Sequence, residues 1–139
     1  MPEYLAPGVY IEEIPNAVKP IAGVDTSADG KYVNARRYLA YLESSIDRGL
    51  KWAVFELNNE ATWAKVRGVV SDFLLGEWCE GGLQGVKPDE AFFVRCDRTT
   101  MTQADLDHGR LIALIGVALV KPAEFVILRT VVRMGDPGR

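Results

Sequence analysis

His108 is the first side chain to consider for chemistry, because it is the chain's single histidine. Asp105 and Asp107 lie beside it, so the three residues could be drawn as part of a metal site. A transition-metal site needs three or four convergent ligands. Thr102, with Asp105 three residues later, instead matches a capping box that opens a helical turn. We therefore predict no metal site here.

Acyl transfer would need a nucleophile held against His108. Ser44 and Ser45 are candidates, but they fall in the middle of a helical pattern and the chain has no G-x-S-x-G elbow. The paired carboxylates Glu12 and Glu13 lie in a proline-rich stretch that offers no desolvated pocket to separate their pKa values. The sequence therefore predicts no catalytic residue, and we expect the protein not to be an enzyme.

The glycine-rich segment 81–85 and the two cysteines complete the search. The segment GGLQG closes a helical pattern, whereas a phosphate loop joins a strand to a helix N-terminus. We predict a helix C-cap there and no cofactor. Cys79 and Cys96 have neither metal-ligand spacing nor a disulfide framework. We expect both thiols to be buried and inert, in a reducing cytoplasm.

The composition is that of one globular domain. The chain has 139 residues, of which 48% are hydrophobic and 25% charged, and its mean hydropathy is +0.01. These values are typical of soluble proteins. The net charge of −3 does not indicate the basic surface that binds nucleic acid. The longest apolar run, residues 111–120, is too short to span a bilayer. We expect no nucleic-acid or membrane partner, and MPEYLAPG lacks the features of a secretory signal.

Residues 1–27 differ from the rest of the chain because they hold Pro2, Pro7, Pro15 and Pro20, four of its seven prolines. Proline disfavours both helix interiors and central strands. Two strand-like runs, Val9–Ile14 and Ile21–Thr26, lie between the prolines, and an isolated pair of strands is marginal in water. We therefore predict an extended arm that has no local partner and adds to a sheet edge, followed by a turn at residues 27–30.

The remaining elements follow from periodicity and caps. A first helix should begin at an Asn34 N-cap and stop at Gly49, and a second should run over Asn59–Glu80. Strands are expected over Lys51–Leu57 and Ala91–Asp97, the latter after a turn at 87–90. Arg110–Val120 and Ala123–Arg133 should form a hairpin around Lys121-Pro122. The aromatic residues expected in the core are Trp52, Trp63, Phe73 and Trp78.

Long stretches of the chain resemble the C-terminal domain of the contractile phage tail sheath family. These are YVNARRYLAYLESSIDRGLKWAVFELNNEATWAKVR, FLLGEWCEGGLQG and EAFFVRCDRTTMTQADLDHGRLIALIGVALVKPAEFVI. The pieces YLAPGVYIEEI and PIAGVDTS are similar to the start of those proteins. Family members carry a large middle region between the two parts, whereas here Ser27 is joined to Lys31 by three residues. The middle domains are missing, either by natural reduction or by engineering.

The resemblance implies an α+β fold. Two long helices would pack on a small mixed β-sheet, which is completed by N- and C-terminal arm strands exchanged between subunits. In the family such arms add strands to neighbouring sheets, and intended pairing would account for the unpaired strands of this chain. The implied organisation is an arm over 1–27, a junction over 28–32, a core over 33–122 and a C-terminal strand over 123–139.

The implied function is that of a structural subunit of a contractile sheath-like assembly. It would polymerise into stacked hexameric rings or a helical tube, around or without an inner tube. The alternative is a ring-forming cap or baseplate adaptor. The implied partners are copies of the chain, an inner tail tube protein and baseplate proteins. Assembly would take place in the cytoplasm of the producing bacterium, and the product would be a virion tail or injection particle.

The expected inter-subunit contacts lie on the two arms. Residues 1–27 carry four acidic side chains and one lysine, −4 + 1 = −3, and residues 121–139 carry four basic and two acidic ones, +4 − 2 = +2. Opposite charge should steer the arms together, while backbone pairing and apolar side chains supply most of the affinity. The predicted contacts are Val9, Tyr10, Ile11, Glu12, Glu13, Ile14, Val126, Ile127, Leu128 and Arg129.

Overall fold

A computed structural model describes residues 6–14, 30–119 and 125–135. These ranges form β1 (Gly8–Glu13), α1 (Gly30–Gly49), a 3-10 helix (Lys51–Phe55), α2 (Glu60–Cys79), α3 (Pro88–Ala91), β2 (Phe92–Arg95), α4 (Gln103–Asp107), β3 (Arg110–Ala118) and β4 (Phe125–Arg133). The four strands form one sheet in the order β1-β4-β3-β2. The α+β class is confirmed.

The sheet was expected to be mixed, but all three pairings in the described ranges are antiparallel. The connection from β3 to β4, residues 119–124, is too short for the crossover that parallel neighbours need. The predicted strand Ile21–Thr26 and the turn at Lys121-Pro122 lie outside the described residues. The division into arm, junction and core stays a prediction, and α1 begins inside the range assigned to the junction.

The second predicted helix is confirmed as α2, and its local signals account for both ends. The Asn59 side chain accepts a hydrogen bond from the Thr62 amide over 3.1 Å. At the other end, Gly81 has a φ of 86°, and the amides of Gly81 and Gly82 donate to the carbonyls of Trp78 and Glu77. This is a Schellman cap, so the C-cap prediction for the glycine-rich segment holds. The buried stripe is Trp63, Val66, Val70 and Leu74.

The first predicted helix exists, but the Asn34 N-cap is wrong because α1 already begins at Gly30. No proline separates Gly30 from Asn34, so nothing in the sequence prevents an earlier start. The helix does end at Gly49, yet not through a left-handed glycine. Instead the chain continues into the 3-10 helix, and the Leu50 amide donates to Ile46 over 3.0 Å. None of the helices in the described ranges is long and apolar enough to cross a membrane.

The strand predicted over Lys51–Leu57 is wrong, because the segment begins as a 3-10 helix. The amide of Ala53 donates to Leu50 over 3.0 Å and that of Glu56 donates to Ala53 over 3.1 Å. This spacing buries Leu50, Ala53 and Val54 on one side and leaves Phe55 76% exposed. A short apolar alternation fits a strand and a tight helical turn equally well, and here burial favours the turn.

The core lies between the two long helices and one face of the sheet. Of the aromatic residues predicted in the core, Trp63 is buried, while Trp52, Phe73 and Trp78 are half-buried against it. One face of β3 and β4 packs on the core through the side chains of Leu111, Ala113, Ile115, Val117, Val126, Leu128, Thr130 and Val132. The strands β3 and β4 therefore contribute to the core along their whole length.

The two thiols lie in different environments. Cys96 follows β2, is fully buried, and its pKa is raised by that burial to about 12. Cys79 is exposed at the last turn of α2, so the expectation that both thiols are buried is wrong for it. The buried stripe of α2, which ends in Leu74, faces the sheet, and Cys79 lies on a different side of the helix. Only Cys96 is protected by the core.

Candidate assembly surface

The candidate site is the ladder between β1 and β4, which brings the two predicted arm segments together in one chain. The register places Val9 opposite Val132, Glu12 opposite Arg129 and Glu13 opposite Leu128. Beyond the strand, the Ile14 amide donates to the carbonyl of Ile127 over 2.9 Å. The N-terminal segment therefore lies at a sheet edge, as expected, but here the sheet is that of its own chain. Its partner is β4, more than a hundred residues away in sequence.

The two faces of β1 have different surroundings. Val9 and Ile11 face the helices and pack, half-buried, against the core. Tyr10 lies on the opposite face, and its hydroxyl donates to the Ala6 carbonyl over 2.8 Å. Ile14 is half-buried at the end of the strand. The strand is therefore held by moderate apolar contact on one face, in addition to the ladder.

The predicted residues of β4 are more deeply buried than those of β1. Val126 is 1% exposed and Leu128 is fully buried, so both contribute to the chain's own core. Ile127 is half-buried, and Arg129 keeps a third of its side chain exposed. Contact of these residues with a neighbouring subunit stays a prediction. Any such contact would be made by the backbone edge of β4 that pairs with β1, because the buried face of the strand already packs on the helices.

Charge complementarity is present across the ladder. An Arg129 nitrogen lies 3.2 Å from a Glu12 oxygen, and an Arg36 nitrogen of α1 lies 3.2 Å from a Glu13 oxygen. The side chains of both pairs are partly exposed, so each pair contributes at most about 1 kcal/mol. The opposite charges of the two arms thus meet in register, within a single chain.

The backbone of β4 would be left open if β1 were removed. Because Ile14 donates to Ile127, the alternation of an antiparallel ladder directs the polar groups of every second β4 residue toward β1. These residues are Ile127, Arg129, Val131 and Arg133. The residues between them direct their backbone groups toward β3. Without β1, β4 becomes an unprotected edge that can accept another strand.

The residues considered for catalysis have structural contacts. The His108 ring is exposed, and its Nδ1 lies 2.7 Å from the Ala104 carbonyl oxygen. Asp105 is buried, which raises its pKa, but hydrogen bonds from Thr102 and from the Arg110 guanidinium, 2.9 Å away, hold that pKa below the usual value. The Thr102–Asp105 capping box is confirmed. Within the described ranges, no three His, Cys, Asp or Glu side chains come together as a metal site.

Sequence reasoning missed several residues of the surface. Thr130, Val131 and Val132 pair with β1, although they were not among the predicted contacts. The alternation along β4 was a usable signal, since it continues to Arg133. Arg36 and Glu43 of α1 were also missed, because their proximity to β1 depends on tertiary packing that no local pattern encodes.

Comparisons with known proteins point in one direction. A family model described as the phage tail sheath C-terminal domain matches residues 25–133. The tail sheath protein of Enterobacteria phage T4 is 27% identical over 99 residues, or 71% of this chain. That of Vibrio phage KVP40 is 28% identical over 104 residues, or 75% of this chain. The chain spans only 14% and 15% of the lengths of these two relatives.

Solved structures of injection machines are also similar. A chain in the six-fold symmetrised cryo-EM structure of the anti-feeding prophage baseplate is 40% identical, with a TM-score of 0.60, over 65% of this chain and 25% of that one. A chain of the contracted PVC sheath complex, from an extracellular contractile injection system, is 43% identical with a TM-score of 0.59, over 65% of this chain and 26% of that one.

Proposed function

The chain belongs to the phage tail sheath family, and on that premise we propose that it is a structural subunit of a contractile sheath-like assembly. Copies of the chain polymerise by exchanging β1, so that β1 of one copy pairs with β4 of the next. The products are stacked six-membered rings or a helical tube. We propose no enzymatic activity, since the relatives that the chain matches are tail sheath proteins.

The observation that carries the proposal is the position of β1 at the edge of the sheet. Residues 15–29 separate β1 from α1, and a segment of that length spans up to about 50 Å when fully extended. Such a connection lets β1 pair with its own β4 or with that of a neighbour. The same ladder forms in both cases, so exchange costs little in contacts, as in other domain-swapped assemblies.

Polymerisation follows from the direction of the exchange. Each copy donates one strand and offers one β4 edge, so the contact is heterologous and extends from copy to copy. A rotation that closes gives a ring, and one that does not close gives a helix. The six-fold symmetry of the baseplate structure that contains a similar chain supports a ring of six. An inner tail tube protein and baseplate proteins are the further partners we propose.

A second candidate is a ring-forming cap or baseplate adaptor. Its support is the similarity to a chain within a baseplate structure rather than a sheath. Both candidates use the same strand exchange and differ in whether growth stops after one ring. Negative-stain electron microscopy of the purified chain separates them, because a sheath subunit gives tubes or stacks and an adaptor gives single rings.

The dependence on β1 is tested by deleting residues 1–27. The deletion should leave a folded protein by circular dichroism, because most of the core lies in residues 30–135, and it should elute as a monomer. A finer comparison is Glu12→Pro against Glu12→Ala. Both variants remove the ion pair with Arg129, but only proline also removes the backbone donor. Assembly should be lost in the proline variant alone. Tubes formed by the deletion variant would refute the exchange.

A further inference from the structure

An apolar groove lies between the two long helices. Ile46 of α1 and Leu50, which follows that helix, line one side of the groove, and Val69, Val70 and Phe73 of α2 line the other. Its volume is about 120 Å³, and Val69 is 40% exposed, so the groove opens to solvent. A dry apolar cavity of about 150 Å³ can bind benzene, so a groove of this size can take most of one phenyl ring.

A phenyl ring projects into solvent at the end of the 3-10 helix. Phe55 is the most exposed aromatic side chain in the described ranges, and Leu57, two residues later, is also exposed. Phe55 does not fill the groove of its own chain, because its ring remains in contact with water. An exposed ring beside a second apolar side chain is typical of an anchor that a partner covers.

The charges next to the groove and next to the ring are complementary. A guanidinium nitrogen of Arg48 lies 3.5 Å from the hydroxyl of Ser45, a residue that lines the groove, so Arg48 stands at its rim. Glu56 directly follows Phe55 in the chain. In the part of the chain that the structure describes, neither Arg48 nor Glu56 has an ion-pair partner. A Phe55 ring placed in the groove would bring the two unpaired charges together.

Two other exposed apolar side chains fit the groove less well. Val86 is more exposed than Phe55, but it precedes Lys87, whose charge would oppose that of Arg48. The Tyr41 hydroxyl donates to a Glu77 oxygen over 2.7 Å, which holds that ring on its own helices. Size and charge together therefore favour the segment that ends the 3-10 helix.

We propose that the groove binds Phe55 of a second copy of the chain, with Glu56 of that copy paired to Arg48 at the rim. The inference rests on the proposed function, because it requires copies that assemble. It adds a side-chain contact to the exchange of β1, which is a backbone contact. One copy provides the ring and the next provides the groove, so the contact can be repeated around a ring or along a tube.

The critical concentration for assembly of the full chain, measured by light scattering and sedimentation velocity, tests both halves of the contact. Phe55→Ala removes the ring. Gly49→Leu fills the groove, because Gly49 lines it and a Cβ built there meets nothing within 4 Å. Each variant should raise the critical concentration about tenfold. Gly68→Leu is the matched control, since Gly68 is an equally open position of α2 outside the groove lining, and should leave the value unchanged.

Charge reversal tests the pairing at the rim. Glu56→Arg and Arg48→Glu each place like charges together, and each should raise the critical concentration about tenfold. The double variant restores opposite charges and should return most of the loss. A general effect on folding would make the double variant worse than either single one, so recovery is specific to the contact.

The outcomes separate this contact from the strand exchange. Normal assembly of both Phe55→Ala and Gly49→Leu would overturn the contact and leave the exchange in place. Weaker assembly of Gly49→Leu alone would mean that another segment fills the groove, and would overturn it as well. Recovery in the double variant, in particles that Glu12→Pro also forms, would support the contact and refute the exchange. A wild-type chain that stays monomeric at its highest soluble concentration would refute both.

Discussion

Replacing Trp63 with alanine probes how α2 is anchored in the core. The indole is 5% exposed, and its Nε1 donates to the Asn58 side chain over 2.7 Å. Asn58 in turn donates to the Arg110 carbonyl over 3.0 Å, so the ring links α2 to the start of β3. Burying about 200 Å² of tryptophan at roughly 25 cal/mol per Å² corresponds to about 5 kcal/mol. Partial relaxation of the site reduces the expected loss to about 3–5 kcal/mol.

The assay is urea unfolding of the monomeric chain, followed by far-ultraviolet circular dichroism because Trp52 and Trp78 would complicate fluorescence. Trp63→Phe keeps most of the apolar contact but leaves the Asn58 oxygen without its donor, and should cost about 1–2 kcal/mol. Phe55→Ala is the control, since that ring is 76% exposed, and should change stability by less than about 0.5 kcal/mol. A loss below about 1 kcal/mol for Trp63→Ala, at unchanged m-value, would refute this account of the core.

The capping box, the thiols and the exposed ion pairs carry the remaining predictions. Thr102→Ala removes the acceptor of the Asp105 amide and should cost about 1 kcal/mol in urea unfolding. Maleimide should label Cys79 natively and reach Cys96 only in denaturant, as mass spectrometry can count. Salt at about 1 M should slow polymer growth in light scattering but leave finished polymers intact, because pairs such as Glu12–Arg129 are exposed. Native labelling of both thiols, or polymers that dissolve in salt, would contradict these predictions.

The elements that were predictable are those whose signals are local. The Asn59 cap, the stripe from Trp63 to Leu74 and the glycines after it define α2 within a single stretch of sequence. The runs rich in β-branched residues likewise predict the strands β3 and β4 directly. The capping box at Thr102 needs only residues three apart. Each of these features forms from neighbours along the chain, so pattern and propensity are sufficient.

The features that were missed depend on distant contacts. Apolar alternation over Lys51–Leu57 suggested a strand, but burial of Ala53 and Val54 against the core favours a 3-10 helix. The β4 partner of β1 could not be read from the N-terminal residues, because an edge strand carries no mark of its neighbour. The opposite charges of the two arms predicted that they would lie together, and the Glu12–Arg129 ion pair agrees with that prediction.

The surface that would join copies is partly predictable for the same reason. The sequence located the two strands because proline spacing and β-rich runs are local. It did not reveal Arg36, whose ion pair with Glu13 depends on the packing of α1 beside β1. In the proposed exchange, the choice between pairing within one chain and pairing between chains would depend on concentration and on the connecting segment, and neither can be read from the residues of the ladder itself.

The central claim, that β1 of one copy pairs with β4 of another, is tested most directly by mixing two variants that each carry one introduced cysteine and keep only the buried Cys96 of the native thiols. Glu12→Cys and Arg129→Cys, each in a Cys79→Ser background, place the thiols at opposed ladder positions, where the Cα spacing of about 5.5 Å suits a disulfide. After co-assembly and mild oxidation, the account predicts a cross-linked heterodimer on a non-reducing gel. Assembled particles that give no heterodimer, while the Glu12→Cys/Arg129→Cys double variant forms its bond only within one chain, would contradict it.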